Sequence, residues 1–197
     1  MNCVKIAKNV ILASQSPRRI EILQALQIPF DVCIPSIVEQ WNSKTRAGKI
    51  VQQLATKKAE ACAKKDALVI AMDTLVVLGN SKLGKPENKA EAVDMLQQLS
   101  GKMHRVYTGV ALKLDENLVT DFEVTKVFFR KLKQPEIEWY VKTGEPMDKA
   151  GAYAIQGLGS IFIDRIEGCY FNVVGFPIGC FQRTLQRLKI DIYELIG

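Results

Sequence analysis

The sequence predicts one α/β domain over residues 1–197, built on a mixed sheet with flanking helices and folded into two lobes. Strand-like apolar runs alternate with amphipathic segments through the first half of the chain, and the second half is richer in strands. No shift in composition marks a linker between domains. The chain is 48% hydrophobic and 24% charged, which suits one globular domain with a sizeable core.

The first half alternates between the two element types. Apolar runs predict strands, and apolar residues at helical spacing predict helices. The predicted strands are 10–13, 28–34, 67–72 and 75–78, and the predicted helices are 18–27, 46–65 and 86–99.

In the second half, strands are predicted over 106–114 and 119–132, joined by the polar turn at 115–117. A short helix over 135–142 stops at Thr143-Gly144. Residues 160–166 and 169–174 are predicted to pair as a hairpin around Glu167-Gly168, and an amphipathic helix over 177–188 follows.

Composition excludes several classes of protein. The longest apolar run, 67–78, is interrupted by Asp73 and is shorter than the roughly 20 residues of a membrane span. The N-terminus lacks a secretory pattern, so a cytoplasmic location is expected. The net charge of +6 favours anionic partners. No nucleic-acid module is recognisable, and a phosphate-rich small substrate suits the charge at least as well.

The five cysteines, at 3, 33, 62, 169 and 180, form no CxxC pair and no even framework. They are therefore expected to be reduced thiols, mostly buried. With a single histidine, His104, a zinc site is not expected, and any metal would have oxygen ligands, as Mg²⁺ and Mn²⁺ do. His104 itself is expected at a strand edge.

The most informative segment runs from Ser14 to Arg19. Ser16 is predicted to cap a helix, with Pro17 as the first helical residue. Arg18 and Arg19 then lie on the first turn, where free N–H groups and partial positive charge already favour anions. The pair predicts a polyanion site, for which phosphate is the obvious ligand. A solvated first turn would show the same residues.

Two charged residues fall in apolar surroundings. Asp73 interrupts the apolar run, and a carboxylate there needs a cation, a hydrogen-bond donor or a metal unless it faces solvent at a strand end. Lys58 follows Leu54 by four residues and Ile50 by eight, which places it on the buried stripe of its helix. A lysine at such a position usually extends its ammonium group to solvent, and this is the expectation for Lys58 by itself.

Three weaker signals complete the set. Gly84-Lys85-Pro86 combines close backbone approach, a point charge and a helix start, although an ordinary turn would look the same. Glu39 by itself is an ordinary surface carboxylate. Gln156 lies in a glycine-rich loop, where its amide could read a pyrimidine edge, or the loop could be only a turn.

Taken together in order, these motifs resemble the Maf family of nucleoside triphosphate pyrophosphatases from about residue 10 to residue 188. The motifs that carry the resemblance are Ser14-Gln15-Ser16-Pro17-Arg18-Arg19, Asp73-Thr74, Gly84-Lys85-Pro86, Leu99-Ser100-Gly101, Thr108-Gly109-Val110, Asp148-Lys149-Ala150-Gly151-Ala152-Tyr153 and Val174-Gly175-Phe176-Pro177. The resemblance implies a fold like that of inosine triphosphate pyrophosphatases, an elongated α/β structure with a cleft between two lobes. It also implies a homodimer.

The implied reaction is hydrolysis of a nucleoside triphosphate to the monophosphate and pyrophosphate with a divalent cation, Mg²⁺ or Mn²⁺. Lys149 and Gln156 resemble the branch acting on dTTP and UTP, with modified pyrimidine triphosphates as further substrates. The family pattern makes Asp73 the general base and links Arg18, Thr74 and Gln156 to substrate selectivity. Phosphate binding is implied for Ser14, Arg18, Arg19, Lys58 and Lys85, and metal binding for Glu39 and Asp73.

Three alternatives stay open from the sequence. One is the family's 7-methyl-GTP branch, which typically has a cysteine at the position of Lys149. Another is a nucleotide-binding regulator of septum formation with little turnover. The third is a nucleic-acid-binding protein, which the charge of +6 alone supports and which predicts salt-dependent affinity for duplexes.

Overall fold

The computed structural model describes residues 9–196, which form an α/β structure around a seven-stranded sheet. The strands are β1 (Asn9–Ala13), β2 (Asp31–Val32), β3 (Ala67–Leu78), β4 (Ser81–Leu83), β5 (Met103–Leu114), β6 (Asn117–Phe129) and β7 (Ile163–Glu167). The helices are α1 (Pro17–Ala25), α2 (Ala47–Ala61), α3 (Lys89–Leu99), α4 (Gln134–Lys142), α5 (Tyr170–Val174) and α6 (Ile178–Arg187). Short 3-10 helices cover Glu145–Asp148, Ala150–Ala152, Leu158–Phe162 and Ile192–Glu194.

The sheet is mixed, as the sequence predicts. Its strand order is β2-β1-β3-β5-β6-β7, with β4 paired to β3. β1 pairs in parallel with both β2 and β3, whereas β3–β4 and β6–β7 are antiparallel pairs. β1 and most of β3 are buried, and such apolar strands are typical of a parallel region.

The chain divides into two compact units. Among the described residues, the first comprises the chain up to Asp73, Thr108–Glu123 and the chain from Gly175 onward, and the second comprises Thr74–Tyr107 and Val124–Val174. In the first unit, small and branched side chains of β1 and β3 pack against the alanines of α2. In the second, the apolar faces of α3 and α4 pack with an aromatic group that includes Phe129, Tyr140 and Phe162.

Gly109 on β5 is required by a close approach to α2. A Cβ at this position would lie 2.4 Å from the carbonyl carbon and oxygen of Val51, which are main-chain atoms that cannot turn away. Only glycine therefore lets β5 approach the helix this closely. This is the packing reason for the glycine of Thr108-Gly109-Val110.

The predicted hairpin of 160–166 with 169–174 is wrong. Residues 170–174 form helix α5, and β7 pairs with β6 instead, with Val127 opposite Ile166. The buried amide of Asn172 donates hydrogen bonds to the Val106 carbonyl and to Thr125 Oγ1, both at 3.0 Å. These contacts fix the segment as a helical turn.

Several predicted boundaries also differ. The strand expected at 28–34 shrinks to β2, because the Ile28 amide donates to the Leu23 carbonyl and closes the end of α1. Residues 67–78 form one strand, and α2 ends at Ala61. The helix expected from Pro86 begins at Lys89, since the Asn88 side chain caps it by accepting from the Glu91 amide at 3.0 Å.

The expectations for the cysteines and for His104 need correction. Cys33 and Cys62 form a disulfide, with Cα atoms 6.1 Å apart, because β2 and the end of α2 bring them together across 29 positions of sequence. Cys169 and Cys180 are free thiols, and Cys3 lies outside the described residues. His104 is 1% exposed on β5, which lies between β3 and β6 and is not an edge strand. No helix within residues 9–196 is both long and apolar enough to cross a membrane.

Candidate functional site

The centre of the site is Asp73, the last residue of the first of the three chain segments that form the first unit. It lies in the middle of β3 and is 6% exposed, so its carboxylate is buried among apolar neighbours. Burial raises the pKa of Asp73, and the nearby charges of Lys58 and Arg19 act in the opposite direction. The reading of this residue as a strand-end carboxylate facing solvent is thus excluded by its position.

Lys58 is the partner of Asp73. It lies on the stripe of α2 that buries Ile50 and Leu54, and its ammonium nitrogen is 2.6 Å from Asp73 Oδ1. The expectation that this lysine extends to solvent is wrong, because its side chain is only 11% exposed and ends on a carboxylate. The helical spacing was the right signal, and the anion that Lys58 needs comes from the neighbouring strand.

Glu39 joins the same ammonium group from the loop before α2. Its Oε1 atom lies 2.6 Å from Lys58 Nζ, and its side chain is 43% exposed. Lys58 therefore bridges two carboxylates, one buried on β3 and one at the surface. Because like charges repel, the Glu39 carboxylate contributes to the raised pKa of Asp73.

Arg19 lies beside this pair and cross-links three parts of the first unit. Its Nε donates to the Gly175 carbonyl at 2.9 Å, and its Nη1 donates to the Met72 carbonyl at 3.0 Å and to Ser14 Oγ at 3.2 Å. Ser14 Oγ also accepts from the amide of Ser16, which occupies the predicted N-cap position of α1 but makes no capping hydrogen bond with its side chain. Burial lowers the pKa of Arg19 to about 10, and the Asp73 carboxylate acts against this shift.

These contacts give Ser14 and Arg19 a structural role. Arg19 is 9% exposed and donates to main-chain carbonyls of β3 and of the segment before α6. Because these acceptors are main-chain atoms, the sequence could not identify them. Arg18, its neighbour, is half-buried on the first turn of α1. The roles of Ser14, Arg18 and Arg19 in phosphate binding stay predictions.

Thr74, Lys85 and Gln156 belong to the second unit. Thr74 directly follows Asp73 on β3 and is half-buried. Lys85 is exposed beside Gly84, whose carbonyl accepts a hydrogen bond from the Gly151 amide at 2.9 Å. Gln156 is half-buried in the loop before the 3-10 helix Leu158–Phe162. The roles of these three residues in substrate selectivity and phosphate binding stay predictions as well.

Glu145 organises the loop that carries Gln156, and sequence reasoning missed it. Its Oε1 accepts from Tyr140 Oη at 2.9 Å and from the Gly159 amide at 3.0 Å, while its Oε2 accepts from the Leu158 amide at 3.1 Å. The same carboxylate lies so close to Gly157 that a Cβ there would be 2.9 Å from Oε2. A carboxylate just before a glycine-rich loop was the available signal.

The donor set suits a hard divalent cation. Glu39 and Asp73 already converge on one cationic group, and carboxylate oxygens are the ligands that Mg²⁺ and Mn²⁺ prefer. Residues 9–196 contain no group of three or more His, Cys, Asp or Glu side chains arranged to hold a metal. Two carboxylates are nevertheless enough for Mg²⁺ when substrate phosphates and water complete its coordination.

Comparison with known proteins links this site to one family. The family model described as "Maf-like protein" matches residues 9–188. A protein of Desulforamulus reducens named dTTP/UTP pyrophosphatase is 48% identical over 188 residues, covering 93% of this chain and 98% of the relative. A protein of the same name from Bacillus anthracis is 46% identical over 187 residues, covering 94% of this chain and 98% of the relative.

Among solved structures, the chain is similar to one described as the structure of the Staphylococcus aureus Ham1 protein. The sequence identity is 14% and the TM-score is 0.45, with 96% of this chain and 94% of that chain covered.

Proposed function

This chain belongs to the Maf-like protein family, and we propose that it hydrolyses dTTP and UTP to the nucleoside monophosphate and pyrophosphate. The family resemblance read from the sequence motifs is confirmed by the match over residues 9–188. Relatives that are 46–48% identical over nearly the whole chain carry the name dTTP/UTP pyrophosphatase. Modified pyrimidine triphosphates are proposed as further substrates.

The observation that carries the chemistry is the buried ion pair of Asp73 and Lys58. A carboxylate whose pKa is raised by burial is a stronger base than an exposed one, and the Lys58 ammonium keeps it ionised. Asp73 is therefore suited to accept a proton from a water molecule that attacks the α-phosphorus. The P–O bond to the β-phosphate breaks, and pyrophosphate leaves.

The charge on the leaving pyrophosphate needs neutralisation, and the proposal assigns this to basic side chains. Arg18 on the first turn of α1 and Lys85 after Gly84 are the proposed phosphate ligands with the most accessible positions. Ser14, Arg19 and Lys58 are proposed to act mainly through the contacts described above, which position Asp73 and the start of α1.

A divalent cation is proposed as the cofactor, held by Glu39 and Asp73. When bound, such an ion neutralises phosphate charge and polarises the phosphoryl group. When no ion is bound, the Lys58 ammonium group would keep the two carboxylates near each other and limit their repulsion.

Base selectivity is proposed to rest on Gln156, with Thr74 and Arg18 contributing. An amide side chain has both a donor and an acceptor, which matches the O4 or O2 and N3–H pattern of uracil and thymine. Glu145 supports this assignment because it fixes the main chain two and three residues beyond Gln156. We further propose that the protein forms a homodimer, as the family resemblance implies, and that it works in the cytoplasm, as the N-terminal sequence predicts.

The test is pyrophosphate release from dTTP, UTP, CTP, GTP and 7-methyl-GTP with Mg²⁺ or Mn²⁺. We expect release from dTTP and UTP, lost in Asp73→Asn while circular dichroism shows a retained fold. Asp94→Asn, which alters an exposed carboxylate on α3, is the matched control and should retain activity. A preference for 7-methyl-GTP would contradict the proposed substrate, and full activity of Asp73→Asn would contradict the proposed base.

A further inference from the structure

A cavity of the first unit lies along α2, beside the loop that precedes this helix. Its volume is about 370 Å³, within the range of about 300–1,000 Å³ that is usual for small-molecule sites. The cavity is lined by Gln40 and Trp41 of this loop, by exposed and buried residues of α2 between Lys49 and Lys57, and by Thr120 on β6. The functional site described above uses none of these residues.

The lining combines an aromatic face with positive charge. Trp41 is 36% exposed, and the accessible part of its side chain offers an aromatic surface for stacking. Lys49 and Lys57 stand one turn on either side of Gln53 along α2, so their long side chains can reach a shared anion above it. Neither Asp nor Glu is among the ten lining residues, so the cavity is positively charged at neutral pH.

Amide and hydroxyl groups supply directional contacts. Gln52 Nε2 donates to Thr120 Oγ1 at 3.3 Å, which holds the polar groups at the back of the cavity in place. Gln53 is exposed between the two lysines. A flat ring against Trp41, an anion between Lys49 and Lys57, and polar groups between them match the parts of a nucleotide carrying one phosphate.

The cavity is connected to the catalytic charges through the chain itself. Its residues Gln40 and Trp41 directly follow Glu39, and its residues Thr56 and Lys57 directly precede Lys58. A ligand that spans these two segments would hold the Glu39 loop against α2. It would thereby fix the 2.6 Å ion pair between Glu39 and Lys58 and keep Glu39 from other cations.

We propose that this cavity is a regulatory site for a nucleoside monophosphate, whose occupancy slows turnover at Asp73. The proposal that a nucleotide binds here depends only on the cavity and its lining residues. The regulatory step rests on the proposed function, because a nucleoside monophosphate is a product of that reaction.

Binding is measured first, without turnover, by the fluorescence of Trp41. Trp139→Phe removes the other of the two tryptophans, so that Trp41 becomes the single reporter. We expect saturable quenching on titration with UMP, and none with uridine or inorganic phosphate at the same concentrations. Lys49→Ala/Lys57→Ala should weaken UMP binding at least tenfold, whereas Lys64→Ala/Lys65→Ala, which removes two exposed lysines outside the cavity, should not.

Turnover is measured second, as the effect of added UMP on dTTP hydrolysis. We expect kcat to fall with an unchanged KM, and this inhibition to disappear in Lys49→Ala/Lys57→Ala. Equal quenching in the wild type and that double variant would overturn the site, since UMP would then bind elsewhere. Quenching without inhibition would overturn the regulatory step. A protein that binds UMP at Trp41 but hydrolyses no triphosphate would contradict the proposed function and leave the binding site standing.

Discussion

Lys58 Nζ lies 2.6 Å from Oδ1 of Asp73, and the same nitrogen lies 2.6 Å from Oε1 of Glu39. One ammonium group thus forms ion pairs with a buried carboxylate on β3 and with an exposed carboxylate in the loop before α2. Removing a partner from such a group leaves a buried charge uncompensated, which is far more costly than losing a surface ion pair. The protonation of Asp73 therefore depends on Lys58.

Replacing Lys58 with Met should shift the pH dependence of hydrolysis. A general base works when ionised, so with Asp73 as the proposed base the rate should rise with pH through the pKa of Asp73. Because the Lys58 charge lowers this pKa against the effect of burial, its loss raises the pKa and moves the acidic limb of the profile to higher pH. The measurement is kcat/KM for dTTP against pH, with Lys65→Met, an exposed lysine, as control. An unshifted acidic limb would remove Asp73 as the base.

Substitutions of Arg19 and Arg18 should affect different properties, the first the stability of the protein and the second its binding of substrate. Arg19→Met leaves the carbonyls of Met72 and Gly175 without their donor, and each buried acceptor costs about 1–3 kcal/mol. We therefore expect its free energy of unfolding in urea to fall by about 2–6 kcal/mol. Arg18→Met should be close to wild type in stability and should raise KM for dTTP. A destabilised Arg18→Met beside a stable Arg19→Met would contradict this division.

Glu145→Ala should lower the selectivity for pyrimidine triphosphates. The substitution releases the amides of Leu158 and Gly159 and so loosens the loop that carries Gln156. We expect the ratio of kcat/KM for UTP to that for GTP to fall about tenfold, a change of about 1.4 kcal/mol. The acidic limb of the pH profile should not move, because Asp73 is untouched. Glu116→Ala, in the exposed turn between β5 and β6, is the control, and equal ratios in both variants would count against a positioning role.

His104 should make the protein less stable in mild acid. Burial lowers the pKa of His104 from 6.5 to about 4, and its Nε2 lies 2.7 Å from Tyr153 Oη. Between these two pH values the unfolded chain binds more protons than the folded one, so stability is lost as the pH falls. The total is about 3 kcal/mol when the pH reaches 4. Urea unfolding of wild type and His104→Phe from pH 7 to pH 4 measures the difference, and parallel curves would refute the buried neutral imidazole.

The Cys33–Cys62 disulfide should stabilise the first unit. It closes a loop with a sequence separation of 29, and loop-closure entropy for that length predicts about 3–4 kcal/mol at 25 °C. Cys33→Ser/Cys62→Ser should lower the free energy of unfolding by this amount, and a dithiol reductant should have the same effect on the wild type. Cys169→Ser, which changes a free thiol, serves as the control. If reduction leaves the wild-type unfolding curve unchanged, the cross-link does not form in solution.

The sequence by itself determined the α/β class, the order of most elements and the identity of the charged residues at the site. Periodicity and capping signals are local, so Pro17 at the start of α1 and the buried stripe around Lys58 could be read along the chain. Asp73 could be singled out because a carboxylate inside an apolar run needs a partner wherever the strand lies.

Only the tertiary structure decided which groups meet. Lys58 pairs with a carboxylate, and Cys33 with a thiol, that lie on other elements of the fold, far along the sequence. Arg19 donates to main-chain carbonyls, which no side chain in the sequence marks. The predicted hairpin was wrong for the same reason. The segment around Asn172 is helical, and its side chain donates hydrogen bonds to Val106 and Thr125, which are distant in sequence. Partners across a fold are brought together by chain packing, and the spacing of residues along one segment contains no record of them.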